Sequence, residues 1–127
     1  MSAKYPTDDE RNDRTEWAHG FFWCWICGWT TRKRWPHKSW LPHLETHEMV
    51  RKSQSPRKWC HPANFFRVCQ HCHQEDIPYL SLARQLAYKK MHDSDNYSVS
   101  EIIRILGRGP DAVTEEDVLN EFKEIYP

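Results

Sequence analysis

Apolar positions are unevenly spread along this chain, and their changing rhythm divides it into three parts. Residues 1–16, MSAKYPTDDERNDRTE, are charged and nearly free of apolar side chains, so the pattern predicts a flexible arm with order beginning near Trp17. Across 17–77, aromatic and apolar residues come in short clusters, and Pro36, Pro42, Pro56 and Pro62 interrupt any long helix. A strand is expected from Leu44 to Val50, a loop from Ser53 to Pro62, and a second strand from Asn64 to Val68. Beyond Pro78 the rhythm becomes helical in a 78–127 extension, with Tyr79, Leu82, Ala83, Leu86 and Lys90 at helical spacing. Ser98 with Glu101 reads as a capping box opening SEIIRIL, which Gly107, Gly109 and Pro110 stop, and Thr114 with Asp117 opens TEEDVLNEFKEI. The fold class expected is α+β, a small strand-and-loop domain followed by a helical extension.

Charge sharpens this picture. The formal net charge is zero, yet Arg32, Lys33, Arg34, Lys38, Arg51, Lys52, Arg57 and Lys58 crowd the middle while Asp111, Glu115, Glu116, Asp117, Glu121 and Glu124 crowd the end. Such a basic centre is either a scatter of solvated surface charges or a face for a polyanion, and its overlap with the candidate metal ligands favours the polyanion-facing surface. No stretch has the apolar length of a membrane span, and the start lacks the apolar run of a secretory signal. A cytoplasmic protein with no membrane partner is expected.

Of five cysteines, four form C-W-I-C (Cys24, Cys27) and C-Q-H-C (Cys69, Cys72). Two residues between thiols let one turn present both sulfurs, and two such turns complete a closed tetrahedral Zn2+ site of structural type. A redox pair would need a βαβ context that is missing and would leave the second pair unexplained. Cys60 is left over, expected as a small buried side chain. Between the knuckles lies HLETHEMVRK, where His47 and Glu48 begin an H-E-x-x-H pattern. Arg51 stands where the second histidine would be needed, which excludes the metalloprotease reading. Of the seven tryptophans, Trp23, Trp25 and Trp29 are expected in packing, while Trp35, Trp40 and Trp59, interleaved with Arg and Lys, divide between packing and base stacking.

Taken together, LETHEMV, HPANFFRV and CQHCH inside two C-x-x-C pairs resemble the HNH endonuclease family of the ββα-metal fold, over about Cys24 to Glu75. The resemblance implies a zinc-stapled HNH-like domain in which His47 and His73 hold one catalytic divalent cation, Mg2+ or another. It also implies that Asn64 fixes the loop between the strands through backbone hydrogen bonds. Glu48 occupies the slot where many members carry the histidine that activates water. A carboxylate can accept that proton, although its ordinary pKa of about 4.3 makes it a weaker base than an imidazole near about 6.5. Neighbours in an ideal strand face opposite ways, so His47 and Glu48 can share a site only if the strand twists or ends there. The implied activity is hydrolysis of phosphodiester bonds in DNA, expected to be duplex. The alternative is a non-catalytic zinc-stapled nucleic-acid-binding or assembly protein on the same scaffold, and a third class is a structural protein whose helical tail binds a partner. Of the other histidines, His19, His37, His43 and His92 read as surface or hydrogen-bonded residues, and His61 and His71 as neighbours of the motif, His71 with a phosphate contact in view.

Overall fold

The computed structural model describes residues 6–51, 59–107 and 112–127. The first helix, α1 (Asp8–His19), starts where a flexible arm was expected. Thr7 accepts from the Glu10 amide and the Glu10 carboxylate accepts from the Thr7 amide, a closed capping box, while Asp8, Asp9 and Glu10 face the positive end of the helix dipole. The helix has almost no apolar stripe and is held instead by buried Trp17 and by Arg14. The expected boundary at 16/17 therefore falls inside α1.

The sheet has two antiparallel strands, β1 (Leu44–Glu48) and β2 (Phe65–Cys69), in a register that sets His47 opposite Phe66 and Glu48 opposite Phe65. β1 stops short of the expected Val50, because Met49 and Val50 leave the ladder to become buried. Asn64 is not in the second strand but closes a 3-10 turn, Pro62–Asn64, just before it. Most of the expected 53–62 loop lies outside the described residues.

β2 runs directly into α2 (Gln70–Glu75), with Cys69 as N-cap. After a 3-10 turn at Ile77–Tyr79, Ser81 caps α3 (Leu82–His92), so the helix starts later than Pro78 and Tyr79 is left 86% exposed instead of on an apolar face. In α4 (Val99–Leu106) Ser98 accepts from the Glu101 amide, but the Glu101 carboxylate turns to Arg104, so only half of the expected box forms. Gly107 takes φ 72°, the left-handed stop that favours glycine. α5 (Glu115–Ile125) has the full Thr114–Asp117 box. Among the described residues, this makes a mixed α+β fold of five α-helices and one two-stranded sheet.

The helical extension does not stand apart. Leu86, Ala87, Ile102, Ile105 and Val118 share one apolar cluster with Trp17, Trp25, Phe65, Phe66 and Val68. Lys89 crosses it as a polar bolt: its buried ammonium donates to Pro62 O at 2.6 Å, Phe65 O at 2.8 Å and Asp93 Oδ2 at 2.7 Å. Asp93 also accepts from Trp17 Nε1 at 2.9 Å, so α1, the start of β2 and α3 meet at one buried ion pair. Burial pulls the Lys89 pKa down to about 8, which its partner opposes and which leaves it charged at neutral pH. No helix among the described residues is long and apolar enough to cross a membrane.

Candidate metal centres and polar cleft

The first C-x-x-C pair sits on a turn closed by Gly28, whose φ of 78° suits a residue without Cβ. Its amide donates to Cys24 O at 2.9 Å, and the Cys24 amide to Trp29 O at 2.8 Å. The second pair sits at the β2–α2 corner. In each knuckle the amide of the second cysteine points at the sulfur of the first, Cys27 N to Cys24 Sγ at 3.5 Å and Cys72 N to Cys69 Sγ at 3.4 Å. All four sulfurs lie within 4.8 Å of one another. Hydrogen bonds from Cys27 and Cys72 pull the Cys24 thiol far down, whereas Cys27 and Cys72, as donors to Cys24, are pushed up, and burial pushes Cys69 up to about 12. Four crowded thiols cannot all ionise without a cation, so the donor set fits a structural metal such as zinc, which four thiolates would hold with no open position. Cys60 is elsewhere, buried with its sulfur 3.6 Å from Glu10 O.

Two histidines border this cluster. His37 Nε2 lies 3.8 Å from Cys69 Sγ, and His71 Nδ1 lies 4.0 Å from Cys72 Sγ. Together with Cys72 they form a second possible ligand group, but their rings are stacked 3.7 Å apart at 7°. A metal binds in the plane of an imidazole, so two parallel rings cannot both reach one ion. They are better placed to donate to the thiolates.

A separate cleft of ≈ 330 Å³ is lined by His47, Glu48, Arg51, His73, Gln74, Ile77 and Pro78. β1 brings His47 to it and α2 brings His73, with ring centroids 5.0 Å apart at 64°. His47 Nε2 meets Gln85 Oε1 at 2.9 Å, and His73 Nδ1 meets Glu45 Oε1 at 2.8 Å. The other Glu45 oxygen meets His43 Nε2 at 2.9 Å. Burial works against ionisation of Glu45, but its bonds to His43 and His73 outweigh this and lower its pKa. Glu48 closes β1 at the cleft edge, which is how consecutive residues come to line one space. Its Oε1 accepts from Arg14 Nε at 3.0 Å and Nη2 at 2.7 Å, and Arg14 Nη2 also reaches Thr46 O at 3.1 Å.

Asn64 lies away from the cleft, fully buried, and works on the backbone. Its Oδ1 accepts from Val50 N at 2.6 Å, and its Nδ2 donates to Val50 O at 2.9 Å and Trp59 O at 2.8 Å, while Met49 N donates to Asn64 O at 2.9 Å. These bonds fasten the chain leaving β1 to the chain entering β2.

Desolvation, with repulsion from His73 and Arg51 and against the Gln85 contact, lowers the His47 pKa to about 4. An unfolded histidine takes its proton near 6.5, so between these values the unfolded chain binds one more proton than the folded one. The stability contributed by the neutral buried ring is present above pH 6.5 and is lost as pH falls toward 4. Thermal melts of the zinc-loaded protein should show the parent losing more stability than His47→Gln over this window; equal losses would contradict the assignment.

Arg32, Lys33, Arg34, Lys38 and Arg51 are exposed, while Lys52, Arg57 and Lys58 lie outside the described residues. Trp25 and Trp29 are buried, and Trp23, Trp35 and Trp59 are partly so. Trp40 is 45% exposed, its indole N–H donating to Glu75 Oε1 at 2.9 Å. Three residues around the cleft escaped sequence reasoning. Glu45 could have been found, since it shares a strand face with His43 and His47. Arg14 was hidden in a segment without apolar rhythm, and Gln85 had no motif to mark it. Compared with known protein families, curated proteins and solved structures, the chain matches none.

Proposed function

We propose that this chain is a metal-dependent DNA endonuclease of HNH type, on a ββα-metal scaffold stapled by structural zinc. The observation that carries the reading is the pairing of His47 on β1 with His73 on α2 across a cleft that Glu48 also lines. In this reading His47 and His73 each offer a neutral nitrogen to one divalent cation, Mg2+ or another. That ion, when bound, would stabilise charge on the scissile phosphate and its leaving group. Glu48 accepts the proton of the attacking water while Arg14 holds its carboxylate in place. Asn64 keeps the end of β1 rigid so that the donors stay aligned. Zinc held by thiolates suits a reducing compartment, and we place the activity in the cytoplasm.

Arg32, Lys33, Arg34, Lys38 and Arg51, with Lys52, Arg57 and Lys58, supply the phosphate contacts in this proposal. Affinity for a DNA duplex should therefore fall steeply with salt, with a log–log slope of about −0.9 per phosphate neutralised, and Lys33→Ala with Arg34→Ala should flatten it. Fluorescence anisotropy across a salt series measures this. Absent or salt-insensitive binding at low salt would remove the premise. A second reading, a zinc-stapled nucleic-acid-binding protein that does not cut, is favoured by one contact: the Arg14 fork already occupies one oxygen of Glu48. Cleavage separates the two.

A further inference from the structure

An imidazole can be a metal ligand only through a nitrogen that carries a lone pair, so the tautomer of each cleft histidine decides whether it can serve. The hydrogen-bond partners assign both. Glu45 Oε1 is 2.8 Å from His73 Nδ1, and an ionised carboxylate can only accept, so His73 carries its proton on Nδ1 and its lone pair on Nε2. Gln85 could in principle offer either end of its amide to His47. Its Nε2, however, donates to Leu80 O at 3.1 Å, which turns Oε1 toward His47 Nε2 at 2.9 Å. His47 must then donate from Nε2 and keep its lone pair on Nδ1.

Both acceptors are themselves held. Glu45 Oε2 is engaged by His43 Nε2 at 2.9 Å and by Gln70 Nε2 at 3.4 Å, and Gln70 is fixed through Oε1 by Leu41 N at 2.6 Å. Gln85 is buried on α3. Glu45 lies within the LETHEMV segment but was not singled out with His47, Asn64 and His73, and Gln85 lies outside the motif.

We propose that Glu45 and Gln85 are positioning residues that select the tautomers of His73 and His47, so that these two acceptors set the affinity of the cleft for a divalent cation. The inference rests on the endonuclease reading for the cleft's cation and specifies what makes its two histidines competent. Without Glu45, His73 is free to place its proton on Nε2 and turn its lone pair away. Without Gln85, His47 is free to place its proton on Nδ1 and lose the lone pair there.

The test uses the zinc-loaded full chain and Ni2+ alone as probe, with calorimetry for affinity and long-range proton–nitrogen NMR of the imidazoles for tautomers. In the parent, His73 should appear as the Nδ1–H form and His47 as the Nε2–H form, and one Ni2+ should bind in a way that His47→Ala or His73→Ala weakens and the double variant abolishes. Glu45→Ala and Gln85→Leu should each weaken Ni2+ binding by about 10- to 100-fold, the usual effect of removing an outer partner of a ligand. They should also bring in the other tautomer at the histidine concerned. Glu45→Gln, which keeps an acceptor oxygen, should hold close to parental affinity. Unchanged affinity in both Glu45→Ala and Gln85→Leu, or the opposite tautomers in the parent, overturns the proposal and leaves the endonuclease reading standing. A parent whose Ni2+ binding ignores His47 and His73 overturns both. Zinc content and melting temperature show whether a variant has folded, and the parental tautomers test the assignment even where one has not.

Discussion

Replacing Cys24 by serine should strip the chain of its zinc and unfold it. Cys24 is 1% exposed and its sulfur stands among three others at ligand spacing. The two knuckles bring the turn at residues 24–28 against the β2–α2 corner, so a metal held by all four sulfurs would bridge segments far apart in sequence. Structural zinc contributes about 10–16 kcal/mol of apparent binding free energy, against a net domain stability of about 5–15 kcal/mol. Losing one thiolate from a closed site therefore removes an amount comparable to the whole margin. Elemental analysis and a circular-dichroism melt check this, with Cys60→Ser as the control, since that sulfur lies outside the cluster. A Cys24→Ser protein without zinc but with parental melting would show that the sulfurs do not staple the fold.

Glu48→Gln should leave folding, zinc content and DNA binding intact and slow cleavage by about 10²- to 10⁴-fold, the contribution of a positioned base. The amide oxygen can still accept from Arg14, so the end of β1 stays anchored, but the side chain no longer takes a proton from water. His47→Ala should fail differently, by weakening the response to added cation. Single-turnover cleavage at saturating metal distinguishes them, because excess cation compensates a weak site and not a missing base. If Glu48→Gln cuts as fast as the parent, Glu48 is not the base and its pairing with Arg14 is structural.

What could be read from the sequence was local. The cysteine knuckles were legible because ligand spacing is written into four neighbouring residues, and α5 because Thr114 and Asp117 satisfy each other within one turn. Ser98 and Glu101 show the limit of that signal, since Arg104 captures the carboxylate that the box required. α1 was missed although Thr7 and Glu10 close a box of the same kind, because no apolar stripe follows it and the helix is anchored by one buried tryptophan and distant partners. With it went Arg14, whose partner Glu48 lies on β1. Gln85 was illegible for the same reason, being defined by a histidine on another element. His47 and His73 stand out from the motif alone, while their contacts with Gln85 and Glu45 are made by tertiary packing.

The most direct measurement is conversion of supercoiled plasmid to nicked or linear form by the zinc-loaded protein, with added magnesium or manganese, with EDTA, and with a His47→Ala, His73→Ala double variant. Cleavage by the parent is expected only with added cation, and none is expected by the double variant although it should still hold zinc and bind DNA. A parent that binds DNA but never cuts it with any divalent cation, or a double variant that cuts as well as the parent, would contradict it.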